Sequence, residues 1–167
     1  MSDFLKQILT SQYEAALAMM KQRIEVCPPE YWDDHVSADT FRQVAYHALF
    51  FLEYYLSTEA GYSPHELHTK GGEELGDKAS PGLSKEDTLA LVEICRTKIG
   101  ESLAPESDES LEGPSGFSFR KGSRGELHIY NIRHFQHHVG QLSGYLRRIS
   151  IEHDLSLKLP WVGNGWK

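Results

Sequence analysis

The segment Ile132-Arg133-His134-Phe135-Gln136-His137-His138-Val139-Gly140-Gln141-Leu142 lies in the predicted C-terminal helix and carries the most informative spacing of the chain. His134 and His138 are four residues apart, so on an α-helix their imidazoles share one face at a distance of about 6 Å. Two such histidines can reach one divalent cation without rearrangement of the backbone. The spacing alone is weak support. A random sequence of 167 residues with nine histidines would contain, on average, about half a pair with this spacing. A third ligand from elsewhere in the chain is needed.

Along the rest of the chain, apolar residues at intervals of three and four predict four long helices. They cover approximately residues 3–26, 38–56, 84–104 and 126–150. Candidate N-caps are Ser2 for the first helix, Ser37 or Asp39 for the second and Ser84 for the third. Long connections rich in glycine, proline and charged residues span residues 57–82 and 106–124, with a short extended piece expected at 117–119. The pattern predicts one all-α domain over residues 1–167, a four-helix bundle with two long loops.

Composition excludes several classes of function. The net charge of −7 and pI of about 5.7 argue against a nucleic-acid partner or an anionic membrane surface, which would need clustered Lys and Arg. No apolar run approaches the length of a membrane span, and no secretory leader is recognisable at the start. Cys27 and Cys95 are the only cysteines. We therefore expect a soluble cytoplasmic protein.

His47 is the candidate third ligand. It lies in the middle of the second predicted helix between apolar residues, where an imidazole without a partner is costly to bury. Metal sites in helical bundles are built from inward-facing side chains on neighbouring helices. The alternatives are a hydrogen-bonded core histidine at His47 and a solvated pair at His134 and His138. His137 competes with His138, but a helical wheel turns it by about 100°, and the four-residue spacing favours His138.

The remaining histidines receive less specific interpretations. His35 lies in the first connection, from which it could approach the mouth of the site. The others are expected in or near loops or close to a helix start: His65, His68, His128 and His153.

Two motifs together carry a resemblance to a known family. Tyr46-His47-Ala48-Leu49 in the second helix, and His134-x-x-x-His138 followed by Val139-Gly140-Gln141-Leu142 in the fourth, resemble the DinB-like (YfiT-like) superfamily of four-helix bundles. The resemblance covers essentially the whole chain in helix order. It implies that His47, His134 and His138 bind a divalent metal, often nickel or zinc, and that the protein forms a homodimer. Arg is common in the family where this chain has Val139, so any role of that Arg does not transfer.

A centre of three neutral imidazoles with open positions leaves the cation its full charge, so that it can acidify a bound water or thiol. Phe135 stands where His-Glu-x-x-His metalloproteases carry their general base, which excludes that class. Candidates for proton transfer are Glu53, Tyr54 and Tyr130, whose alternative roles are a solvated charge for Glu53 and core or rim aromatics for the tyrosines.

Three classes of function follow. The first is a metal-dependent enzyme, for which the resemblance implies transfer of a low-molecular-weight thiol or hydrolysis. The second is a protein that binds metal and a small molecule without turnover. The third is a dimeric bundle whose histidines only pack. The two long loops favour the first two classes, because such loops in compact domains are commonly functional.

Overall fold

The computed structural model describes residues 4–68, 70–76, 79 and 82–166, and within them it is all-helical with no β-strand, which confirms the all-α part of the predicted fold class. The expected cap Ser2 lies outside the described residues. The helices are α1 (Phe4–Val26), α2 (Phe41–Leu56), α3 (Lys85–Leu103), α4 (Asp108–Glu112) and α5 (Arg124–Glu152). A single 3₁₀ turn covers Pro29–Tyr31.

The four long helices contact one another in a closed order: α1 packs on α3, α3 on α2, α2 on α5 and α5 on α1. One apolar core lies between them, to which each helix contributes fully buried side chains, among them Leu17, Leu49, Leu91 and Leu142. The packing places α2 and α5, the two helices with the candidate ligands, in direct contact along the core.

The N-caps explain where the helices begin. Ser84 caps α3 as predicted, since its hydroxyl accepts a hydrogen bond from the Asp87 amide. For α2 the prediction of Ser37 or Asp39 is wrong, because Thr40 is the cap and forms a reciprocal capping box with Gln43. Asp39 instead accepts a hydrogen bond from the Gly76 amide through its carboxylate. This bond ties the start of α2 to the loop that follows the helix.

The second loop differs from its prediction in two ways. It contains the short helix α4, which begins at the Ser107 capping box and buries Leu111. The extended piece expected at 117–119 is a turn, in which the Arg120 amide donates to the Phe117 carbonyl. A short helix of this kind lacks the repeated apolar spacing that revealed the longer ones.

The C-terminal tail packs on the helices. Val162 is buried in the core, and the Trp166 ring lies beneath the cations of Lys21 and Arg96 at 5.2 and 4.5 Å. Trp161, in contrast, is 79% exposed. Among the described residues no helix has the length and apolar character needed to cross a bilayer.

Both cysteines are buried and neither forms a disulfide. Burial raises the pKa of the Cys27 thiol to about 12 and that of Cys95 well above its usual value. Each thiol therefore stays protonated at neutral pH.

Candidate metal centre

Three histidines from two helices meet at the contact between α2 and α5. One ring nitrogen each of His47, His134 and His138 forms a group in which no two nitrogens are more than 4.8 Å apart. The Nε2 atoms of His134 and His138 are 3.2 Å apart. The ring of His47 lies 5.5 Å from that of His134 and 4.8 Å from that of His138, measured between centroids.

These separations suit a shared cation. Nitrogens bound at 2.0–2.1 Å to one ion are about 2.8–3.4 Å apart at octahedral or tetrahedral angles. The pair on α5 already has this spacing, at 3.2 Å. The widest separation in the group, 4.8 Å, exceeds this spacing, so a shared cation would draw the rings closer together than they lie here.

Hydrogen bonds to the other ring nitrogens orient two of the three imidazoles. His47 Nδ1 donates to the Glu73 carbonyl oxygen at 2.5 Å, and His138 Nδ1 donates to Gln141 Oε1 at 2.8 Å. Each bond places the ring proton on Nδ1 and leaves a lone pair on Nε2, the arrangement in which histidine binds a metal through Nε2. His134 Nδ1 is buried and has no hydrogen-bond partner among the described residues.

Burial keeps these histidines neutral. It lowers the pKa of His134 and of His138 to about 4, and it lowers the pKa of His47 as well. The neighbouring imidazoles lower the pKa values of His134 and His138 further, whereas Asp39 opposes the shift at His47 and His138. Neutral imidazole is the form that binds a metal, so protons do not compete for this site at neutral pH.

Two further histidines that the sequence offers do not join the cluster. His137 is exposed, with its ring centroid 5.2 Å from that of His138. His35 is exposed, and its Nδ1 lies 3.2 Å from the Ala38 carbonyl oxygen. The group of potential ligands in the described residues consists of His47, His134 and His138 alone.

The first loop closes over α2 beside the cluster. The Tyr46 hydroxyl donates to His68 Nδ1 at 2.9 Å, and His68 Nε2 donates to Glu53 Oε2 at 2.5 Å. Glu53 is only 6% exposed, so its interpretation as a solvated charge is wrong. Gly72 lies against the Tyr46 ring so closely that an added Cβ would stand 1.9 Å from a ring carbon. The same loop supplies the Glu73 carbonyl that orients His47.

Aromatic side chains from both α2 and α5 pack against the cluster. The Phe51 ring lies 4.8 Å from His47 and 5.6 Å from His134, while the Tyr130 ring stacks on His134 at 6.0 Å. Arg120 Nη2 donates to the Tyr130 hydroxyl at 2.5 Å. Tyr54 packs instead on Tyr62 and Phe117. Of the three candidates for proton transfer, Tyr130 is the one that contacts a histidine of the cluster.

Sequence analysis missed His68 and Arg120 as neighbours of the site. The seven-residue spacing of Tyr46 and Glu53 places them two helical turns apart on one face of α2, which is a signal for a shared partner. The sequence has no periodic pattern that identifies His68 as that partner. It also has none that predicts the contact between Arg120 and Tyr130.

Comparison of the chain with protein-family models, with characterised proteins and with solved structures gives no match. The resemblance to the DinB-like superfamily rests on the two histidine motifs and the order of the helices.

Proposed function

We propose that this protein is a metal-dependent enzyme of the DinB-like four-helix-bundle type, with one divalent cation bound by His47, His134 and His138. The observation that carries the proposal is the convergence of three neutral imidazoles, with nitrogens no more than 4.8 Å apart, from two packed helices. The proposed reaction is transfer of a low-molecular-weight thiol to an electrophile, with hydrolysis as the alternative. The homodimer that the resemblance implies stays a prediction.

The donor set favours a transition metal. Imidazole suits zinc, nickel, copper and iron, whereas magnesium and calcium prefer oxygen ligands. Nickel and zinc are the ions that the resemblance implies. Since no cysteine or carboxylate among the described residues completes the group, three protein ligands leave at least one position open for a water, a thiol or a substrate. Structural zinc sites usually have four protein ligands, so an open position supports a catalytic or ligand-binding role.

A bound cation would act as a Lewis acid that lowers the pKa of a thiol or water in the open position. The chain's own residues supply the rest of the environment. Glu73 and Gln141 fix the rings of His47 and His138, while Phe51 and Tyr130 pack against the ring of His134. In thiol transfer the sulfur would form a bond to an electrophilic carbon, the leaving group would depart with its electron pair, and the thiol proton would pass to solvent.

A purely structural role for the histidines explains the arrangement less well. The helices share an extensive apolar core, so a polar cluster is not needed to hold them together. His134 has one ring nitrogen without a partner in the described residues and the other facing a nitrogen of His138. A cation bound between the two facing Nε2 atoms, which are 3.2 Å apart, would accept a lone pair from each of them.

Metal content tests the proposal directly. Protein purified without an affinity tag should contain about one transition-metal ion per chain by elemental analysis, as a site of this type binds one ion. His47→Ala and His138→Ala should each abolish the bound metal, whereas His137→Ala, a matched change on the exposed side of α5, should retain it. A wild-type protein that folds normally and takes up no zinc, nickel or cobalt would refute the proposal.

Thiol binding separates the two reactions. Cobalt-substituted protein should change its visible spectrum on addition of glutathione, bacillithiol or mycothiol if a thiol enters the open position. The His137→Ala variant should respond as the wild type does. A cobalt spectrum that none of the three thiols perturbs would rule out thiol transfer through these compounds and leave hydrolysis as the proposed reaction.

A further inference from the structure

Arg120 is a cation beside the histidine cluster that has no acidic partner among the described residues. Its Nη2 donates to the hydroxyls of Tyr55 and Tyr130 at 3.1 and 2.5 Å, and its Cζ lies 4.0 Å from the centroid of the Tyr130 ring. Nε is buried without a hydrogen-bond partner in the part of the chain that the structure describes. Since a guanidinium carries five N–H donors, the two tyrosines leave it with unused charge and donors.

Arg120 lines a surface cavity of about 370 Å³ between the second loop and the N-terminal half of α5. Lys121 and Arg133 line the same cavity, and neither forms an ion pair with a described carboxylate. The one acidic residue in the wall, Glu126, already accepts a hydrogen bond from the Ser123 amide in the α5 cap. The cavity therefore has an excess of positive charge on a protein whose net charge is −7.

The cavity and the histidine cluster share the Tyr130 side chain as a wall. Arg120 lies 4.0 Å from the Tyr130 ring, and the His134 ring stacks on Tyr130 at 6.0 Å with an angle of 16° between the planes. Arg133 is also near this ring, at 5.7 Å. The Tyr130 ring is therefore the side chain that contacts both the cations of the cavity and a histidine of the cluster.

We propose that this cavity binds the carboxylate of a small anionic substrate, paired with Arg120 and supported by Arg133, so that the reactive end of the substrate faces the histidine cluster. A planar guanidinium with free donors matches the two oxygens of a carboxylate. The position of the reactive end rests on the proposed function, whereas binding of the anion does not. A small carboxylic acid is then the class of substrate that the metal centre would act on.

The first test uses metal-free protein, so that it does not depend on the metal centre. Succinate is titrated into chelator-treated, ¹⁵N-labelled protein at constant ionic strength, and the amide signals around the cavity are followed by NMR. We expect saturable shifts with succinate and none with the uncharged succinamide. Arg120→Gln should weaken succinate binding at least about tenfold, because a charge-assisted pair is lost, and Arg133→Gln only about two- to threefold.

Arg96→Gln is the matched control, since Arg96 lies over Trp166 outside the cavity, and its succinate affinity should equal that of the wild type. Arg120→Lys, which keeps the charge, should bind succinate more tightly than Arg120→Gln does. Equal shifts with succinamide, or unchanged binding in a folded Arg120→Gln variant, would overturn the proposal. Tighter binding of inorganic phosphate than of succinate would overturn the assignment to a carboxylate.

The second test asks whether an anion bound in the cavity also affects the metal centre. In cobalt-loaded protein, succinate should change the visible spectrum over the same concentration range, and Arg120→Gln should bind cobalt normally but lose the response to succinate. A spectrum that succinate leaves unchanged while the amides still shift would refute the shared site. Failure to take up cobalt would refute the metal centre alone, and the metal-free titration would still decide the anion site.

Discussion

At the scale of single residues, the imidazole of His138 is held by a side chain of its own helix. Gln141, one turn further along α5, accepts the Nδ1 proton at 2.8 Å. His47 is held by the backbone carbonyl of Glu73, which replacement of the Glu73 side chain does not remove. Gln141 is therefore the partner whose hydrogen bond can be removed directly, by replacing its own side chain.

Replacement of Gln141 by Leu should lower the affinity for zinc or nickel about 10- to 100-fold, the usual effect of losing the hydrogen bond behind a histidine ligand. Competition with a chromophoric chelator measures the change. Gln136→Leu is the control on the same helix, because the Gln136 amide contacts Met19 and not the cluster. An unchanged affinity in Gln141→Leu would show that this bond does not orient the ligand.

Among the structural elements, the first loop is the one whose residues bond both to buried side chains of α2 and to a histidine of the cluster. His68 bonds to Tyr46 and Glu53, Glu73 bonds to His47, and Gly72 packs on the Tyr46 ring between these anchors. The position of the Glu73 carbonyl therefore depends on the close approach of Gly72 to α2.

Gly72→Ala should push the loop away from α2, since its Cβ would stand 1.9 Å from a ring carbon of Tyr46. We expect a fall in the free energy of unfolding of about 1–3 kcal/mol and a lower metal affinity, because His47 loses its orienting bond. Urea denaturation and chelator competition measure the two effects.

Gly100→Ala provides the contrast. An added Cβ there meets no described atom within 4 Å beyond the backbone of its own helix. Substitution of this helical glycine should therefore raise the free energy of unfolding by about 0.5–1 kcal/mol, with no change in metal affinity. Normal metal binding by Gly72→Ala would contradict the proposed dependence of His47 on the loop.

The sequence predicts the helical parts of the site better than the loop parts, for a physical reason. The period of an α-helix relates His134 to His138 and places His47 on a core-facing helix, so helix packing alone brings them together. His68 and Arg120 reach the site through the paths of long loops, which turn chemistry and tertiary contacts determine. The cap of α2 falls between these cases, since Ser37, Asp39 and Thr40 are all good caps and only the Thr40–Gln43 pair distinguishes the last.

At the scale of the whole molecule, a second buried histidine environment lies away from the cluster. His128 is 0% exposed, its Nδ1 is 3.0 Å from the Tyr13 hydroxyl, and Nε2 has no hydrogen-bond partner among the described residues. Burial lowers the pKa of His128 to about 4; Arg124 adds to this effect, and Glu106, whose Oε1 lies 3.7 Å from Nε2, opposes it. The expectation that His128 lies near a helix start is confirmed, but its burial links it to global stability.

The stability of the metal-free protein should fall as the pH is lowered from about 6.5 to about 4. In this window the unfolded chain takes up a proton at His128, whose pKa there is about 6.5, while the folded chain does not, so acid favours unfolding. His134 and His138 act in the same direction. Each histidine contributes a slope of up to about 1.4 kcal/mol per pH unit.

Urea denaturation at several pH values measures this slope. His128→Gln should reduce the slope by up to about 1.4 kcal/mol per pH unit. Equal slopes in His128→Gln and the wild type would contradict a neutral, buried His128.

The two buried cysteines have a practical consequence for thiol assays. Cys27 and Cys95 are 1% and 0% exposed, and burial keeps both as thiols at neutral pH. A colorimetric thiol reagent would therefore react with an added low-molecular-weight thiol and leave the folded protein untouched. Consumption of an added thiol could be followed even at high protein concentration, with a background that rises only when the protein unfolds.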